Sequence, residues 1–186
     1  MKIYITRHGR TLENIAGIFQ GHIDGTLSEE GISQAKKLGE RFKNIKIDVI
    51  YCSPTGRTKD TLKEILGFKK DTKVEYTIGL IERDTGDATG KTADEIDFSL
   101  AKGVETNMEL KIRAGIFLDS IIKKHINENI LFVTHGGFIK WLFAYIHDLS
   151  EEEMIGKYIS NNCSVSLIEI NNGHVLEIYF NDVSHI

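Results

Sequence analysis

The sequence predicts an α/β fold around a mostly parallel sheet, and three observations carry that expectation. Runs of β-formers alternate with amphipathic helical stretches, the pattern of strand–helix–strand units. Three of those runs end in a polar turn bearing arginine or histidine, as strands do when their carboxyl ends open onto a shared crevice. The run Ile130 to Thr134 is apolar without alternation, which marks a strand buried on both faces.

The 186 residues suit one domain spanning 1–186. A hydrophobic share of 41% and a charged share of 27% exclude disordered and collagen-like readings. The net charge of −4 argues against a nucleic-acid partner, which would ask for a basic face, yet it leaves room for a local basic pocket. The two cysteines, Cys52 and Cys163, lie far apart on apolar strand-like segments, so buried free thiols fit better than a disulfide or a metal site. A reducing, cytoplasmic location is expected, with no membrane partner. No apolar leader opens the sequence, and no run approaches the roughly 18 apolar residues of a membrane span.

In chain order, Ile3, Tyr4 and Ile5 form a first strand that breaks at Arg7, His8 and Gly9. The next stretch, residues 11 to 27, holds Gly17, Gly21 and Gly25 and reads as a loop with at most one helical turn. Loops leaving the carboxyl end of a strand commonly carry ligand contacts, which makes Thr11, Asn14, Gln20 and Gly21 candidates; their polar groups could equally satisfy the loop backbone. Ser28 has the character of an N-cap, with Glu29 and Glu30 in the first turn and Ile32, Ala35, Leu38 and Phe42 on the core face. Asp48 to Cys52 reads as a second strand, followed by a turn at Ser53 to Arg57 and a helix through Leu62, Ile65 and Leu66. Arg57 is poorly placed for a helix dipole that prefers acids, so either an anion holds it there or it is a surface arginine beside Asp60.

Val74 to Tyr76 predicts a short strand, and Ile78 to Asp84 leads into a Gly/Thr/Asp-rich loop ending near Lys91. Glu82 there could be a general acid or a solvated carboxylate. Ala93 to Leu100 is expected to be weakly helical, and Asn107 to Lys124 a long amphipathic helix burying Leu110, Ala114, Phe117, Leu118 and Ile121. The buried strand at Ile130 runs into His135, Gly136 and Gly137, where a helix begins whose free amides point back at the turn. Cys163 to Ile170 and His174 to Tyr179 form a hairpin across Asn171, Asn172 and Gly173. Its outer edge could serve a homodimer.

Strand ends thus deliver Arg7, His8, Arg57 and His135, and a fourth segment delivers Glu82. If they converge, two arginines and two histidines make a cationic pocket suited to a phosphoryl group.

These residues carry a family resemblance. The chain resembles the histidine phosphatase superfamily, also called phosphoglycerate mutase-like, through Arg7-His8-Gly9 with Thr11 and Asn14, then Gln20, Gly21, Asp24 and Leu27. Ser53, Pro54, Arg57 and Thr61, then Leu80 and Glu82, then Val133, His135, Gly136 and Gly137, and finally Asn162, Ser164 and Ser166 continue the match in the family's order. The resemblance implies a three-layer α/β/α sandwich and a phosphatase whose His8 becomes phosphohistidine. It further implies that Arg7, Arg57 and His135 hold the phosphate, that Glu82 gives and takes the proton, and that Asn14, Gln20, Gly21 and Gly136 contact substrate. A neutral imidazole can attack phosphorus while a cationic pocket supplies the charge stabilisation, so no metal and no cofactor are expected, and the partner is a small phosphate ester.

Two departures stand out. Arg10 replaces the usual Glu or Gln and either favours a substrate with a second acidic group or is simply solvated. The loop from Thr85 to Gly90 lacks the aromatics and second acid of the family pattern F-G-x-W-E-G. Only Ile81 to Thr106 separates the acid from the following helix, without the long basic insertion of phosphoglycerate mutases, which favours hydrolysis over mutase transfer. A non-catalytic phosphate-binding protein is the remaining alternative. His22, His125, His147, His174 and His185 are expected to be surface or structural.

Overall fold

A computed structural model describes residues 1 to 186. Its strands are β1 (Lys2–Arg7), β2 (Val49–Cys52), β3 (Lys73–Tyr76), β4 (Asn129–Thr134), β5 (Val165–Asn171) and β6 (His174–Asp182). They form one sheet in the order β3-β2-β4-β1-β5-β6. The first four in that order are parallel, and β5 and β6 complete the sheet antiparallel. The helices are α1 (Leu12–Ile15), α2 (Glu29–Phe42), α3 (Gly56–Leu66), α4 (Asn107–Lys124) and α5 (Gly136–Ile146).

The pleat of the strands divides the core in two. Ile3, Ile5, Tyr51 and Phe132 face Leu110, Leu118, Phe138 and Leu142 of α4 and α5. Their neighbours Tyr4, Ile50, Leu131 and Val133 face Ala35, Leu38, Phe42, Leu62 and Ile65 of α2 and α3. The result is the three-layer α/β/α sandwich expected. Each fully buried Leu, Ile or Phe contributes about 1.5–3 kcal/mol by leaving water, and β1, β4 and β2 gain from both faces.

Local signals account for most boundaries. Ser28 accepts from the Gly31 amide at 3.1 Å and starts α2, while Thr106 and Glu109 form a capping box that starts α4. The hairpin turns on Asn172 (φ 51) and Gly173 (φ 81), the two positive-φ positions of a type I′ turn. Four expectations need correction. Ile32 is 39% exposed, because α2 presents to the sheet a face centred on Ala35, Leu38 and Phe42. Ala93 to Leu100 forms no α-helix; only a 3-10 turn at Phe98–Leu100 appears, capped by Asp97, and none of its side chains is buried to reward a longer helix. Cys163 precedes β5, held at φ 55. Beyond Tyr179, β6 continues to Asp182.

Candidate active site

The carboxyl ends of β1, β2 and β4 converge at one end of the sheet, and His8, Ser53 and His135 follow them directly. Close backbone approach fixes the first turn. A Cβ at Gly9 would lie 2.6 Å from the Gly31 carbonyl oxygen, so the turn rests directly on the start of α2. The Gly9 amide donates to Thr61 Oγ1 at 2.9 Å, and Asn162 Nδ2 donates to the His8 carbonyl at 2.9 Å.

The His8 ring is 2% exposed, and its Nδ1 lies 2.8 Å from the Gly9 carbonyl oxygen. A carbonyl only accepts, so Nδ1 carries the proton and Nε2 keeps its lone pair. Burial, reinforced by the Arg7 and Arg57 guanidinium groups, holds His8 well below its ordinary pKa. His135 is wholly buried, its ring centroid 5.3 Å from that of His8. Its Nε2 meets Ser53 Oγ at 2.7 Å, and burial with Arg57 and His8 keeps it neutral too.

Arg57 heads α3 and is 1% exposed. Its terminal nitrogens donate to the carbonyls of Ile23, Asp24 (3.4 Å) and Gly21 (2.9 Å), pinning the loop that follows α1. Burial lowers it to about 10, so it remains cationic at neutral pH. The reading of Arg57 as a surface partner of Asp60 is therefore corrected. Arg7 donates through Nη1 to the Ser160 carbonyl at 2.7 Å. Arg7 Nε, Arg57 Nε and His135 Nδ1 are buried and have no hydrogen-bond partner within the chain, and the same holds for the acceptor Gln20 Oε1. Buried polar groups left unpaired cost about 1–3 kcal/mol each, a cost that a partner from outside the chain would offset.

Glu82 sits across the cleft at the amino end of α5. Its carboxyl oxygens accept from the amides of Gly137 (3.1 Å), Phe138 (3.0 Å) and Arg83 (2.9 Å). Its backbone is held from behind. Arg113 donates to the carbonyls of Ile81 (3.0 Å) and Glu82 (3.3 Å) while pairing with Glu105 at 2.7 Å, and His22 Nε2 lies 2.9 Å from the Glu82 carbonyl oxygen. This clamp was hidden in the sequence, where Arg113 reads as one charge on an amphipathic helix.

Arg7, His8, Asn14, Gln20, Arg57 and Glu82 line one cleft of about 350 Å³. Gly21 and Gly136 stand behind it: the Gly21 carbonyl anchors Arg57, and a Cβ at Gly136 would come within 3.3 Å of the Arg7 guanidinium. Arg10 lies outside this cleft, lining an adjoining polar cavity in a 2.8 Å pair with Glu30, so its charge is already compensated. Gly137 completes the lining with Ile18, Phe19, Arg83, Thr85 and Phe98; the three apolar ones carry no chemical signal in a loop, and Arg83 and Thr85 look in sequence like any solvated polar residues there. Cys52 and Cys163 are buried, and burial pushes both thiols up to about 12. No helix is long and apolar enough to cross a membrane.

Residues 3 to 183 match the profile of the histidine phosphatase superfamily (branch 1). A probable phosphatase of Schizosaccharomyces pombe is 30% identical over 201 residues, covering 100% of this chain and 95% of the relative. A 2,3-bisphosphoglycerate-dependent phosphoglycerate mutase of Thermoplasma acidophilum is 33% identical, covering 96% and 92%. Among solved structures, Bacillus stearothermophilus YhfR superposes with a TM-score of 0.93 at 30% identity, covering 99% of this chain and 98% of that one. A phosphoserine phosphatase of Entamoeba histolytica, in complex with phosphoserine, superposes with a TM-score of 0.88 at 26% identity, covering 100% and 98%.

Proposed function

The chain belongs to the histidine phosphatase superfamily, and from that premise we propose that it is a metal-independent phosphatase working through a phosphohistidine at His8 on a small acidic phosphorylated metabolite. The observation that carries this reading is the His8 ring, neutral, with Nδ1 tied to Gly9 and Nε2 free, beside three unpartnered buried nitrogens.

Nε2 attacks phosphorus, and the new P–N bond forms as the ester P–O bond breaks. Arg7, Arg57 and His135 share the charge on the phosphoryl oxygens, His135 donating from Nδ1 while Nε2 accepts from Ser53. Glu82 gives its proton to the departing alcohol oxygen. Water then attacks the phosphohistidine, Glu82 draws a proton from that water as the new P–O bond forms and the P–N bond breaks, and inorganic phosphate leaves with His8 restored. Preference for an acidic substrate is supported by Arg83 in the role first considered for Arg10. Arg83 donates through Nε to the Glu105 carbonyl at 2.7 Å, and its terminal nitrogens make no hydrogen bond within the chain, although it lines the cleft. The phosphoserine bound by the Entamoeba relative has the same class of chemistry.

The test uses p-nitrophenyl phosphate with and without chelator, alongside His8→Ala. Phosphate release that ignores chelator and drops at least about 10³-fold in the variant is expected. Retention of activity without His8 refutes the reading. The similarity to the Thermoplasma mutase favours one second reading, return of the phosphoryl group to substrate. Primer-dependent conversion of 3-phosphoglycerate to 2-phosphoglycerate would establish it.

A further inference from the structure

One wall of the cleft plays no part in the reaction as written. Phe19 and Phe98 meet there with ring centroids 5.0 Å apart, tilted by 44°, and Ile18 extends the apolar surface. Although distant in sequence, they are held by explicit contacts. The Phe19 amide donates to the Lys91 carbonyl at 2.9 Å and the Phe19 carbonyl accepts from Gly90 at 2.8 Å, so the first loop is stitched to the end of the loop after Glu82. Asp97 Oδ1 accepts from the Ser99 amide at 2.9 Å to form the turn carrying Phe98, and the Arg83 guanidinium lies 5.2 Å above the Phe98 ring. Thr85 to Gly90 has no aromatic of its own, so both rings on this wall come from outside that loop.

Two rings kept half-open beside a polar cleft expose apolar surface that a ligand would cover, at about 25 cal/mol per Å² removed from water. A purely polyol alcohol gains little from such a wall. A planar or branched apolar one gains from burial and from the stacking geometry aromatic rings prefer.

We propose that Phe19 and Phe98 form the leaving-group subsite and select phosphate esters whose alcohol carries a planar or branched apolar face. The inference rests on the phosphatase reading and adds which alcohol departs: with Arg83 beside the rings, an acid bearing an apolar face fits better than a sugar.

Benzyl phosphate and glycerol 3-phosphate test it. Both are esters of primary alcohols without a carboxylate, so the contribution of Arg83 to carboxylate binding drops out of their ratio. The wild-type chain is expected to have the higher kcat/KM for the benzyl ester. That preference should fall about tenfold in Phe98→Ala and in Phe19→Ala, and by about threefold in Phe98→Leu, which keeps apolar volume but loses the plane. The turn carrying Phe98 buries none of its residues, so truncation there spares the core. An unchanged ratio in all three variants, with release still dependent on His8, overturns the subsite and leaves the phosphatase standing. Release from neither ester by a wild type that still hydrolyses p-nitrophenyl phosphate overturns the subsite alone, and loss of that activity as well removes both.

Discussion

At the scale of single residues, the site depends on proton placement. In the proposed reaction His8 serves because it is neutral and because the Gly9 carbonyl accepts a hydrogen bond from Nδ1, leaving Nε2 bare to attack. Glu82 there serves the departing oxygen in the first step and the attacking water in the second, and only the first depends on the leaving group. Glu82→Gln is therefore expected to lower kcat/KM on an alkyl phosphate by about 10²–10³-fold, while kcat/KM for p-nitrophenyl phosphate, whose leaving group is stable as an anion, falls far less. Equal losses of kcat/KM on both would remove Glu82 as the acid of the first step. Arg57 is a test of shape as much as charge, since its guanidinium binds three loop carbonyls at once. Arg57→Lys keeps the charge and loses the fork, and kcat/KM is expected to fall about 100-fold, checked with an alkyl ester under subsaturating conditions. Arg7, His8 and His135 were readable as candidates because reactive side chains at strand ends are few, whereas Glu82 stood out only through the resemblance carried by Leu80 and Glu82. Arg10 lies outside the cleft and pairs with Glu30, a partner that nothing in its spacing announces.

At the scale of elements, the Arg113–Glu105 pair ties α4 to the segment carrying Glu82. It touches no reacting atom and acts through position. Arg113→Ala is expected to lower kcat more than it raises KM and, like Glu82→Gln, to penalise alkyl esters beyond p-nitrophenyl phosphate. A loss of equal size on both substrates would mean general destabilisation instead. Arg113→Lys should restore little, because one ammonium cannot span a carboxylate and two carbonyls. The join between Glu82 and α5 is tight as well. A Cβ at Gly137 would fall 2.5 Å from Glu82 Oε1, so Gly137→Ala should displace that carboxyl and reproduce the same substrate-dependent loss. Caps and the hairpin turn were legible because short polar signatures specify them. The chain between Glu82 and α4 was not: it has neither period, and its conformation comes from backbone bonds to residues far away, such as Phe19 with Lys91.

For the whole molecule, two buried neutral histidines couple stability to pH. Each has an ordinary value of 6.5 and a lower one when folded, so below pH 6.5 the unfolded chain binds protons that the folded chain refuses. Stability contributed by keeping them neutral is complete above pH 6.5 and is lost as the pH falls, by up to about 1.4 kcal/mol per pH unit for each histidine until its folded value is reached. Thermal melts between pH 7 and pH 5 should show this slope, and His135→Gln should make it shallower even if its melting temperature at pH 7 is lower. An identical slope in the variant would locate the acid sensitivity elsewhere. The α/β class and the antiparallel final pair could be read from strand composition and turns, whereas the sheet order could not, because pairing of β1 with strands more than a hundred residues away leaves no local mark.

That order has a consequence for biosynthesis. β1 leaves the ribosome first, yet both of its neighbours, β4 and β5, belong to the final third of the chain. Until they emerge, the apolar Ile3-Tyr4-Ile5 segment has no strand to pair with and is a natural target for a holding chaperone. A nascent chain released early would carry His8, the proposed nucleophile, without the buried surroundings that keep it neutral.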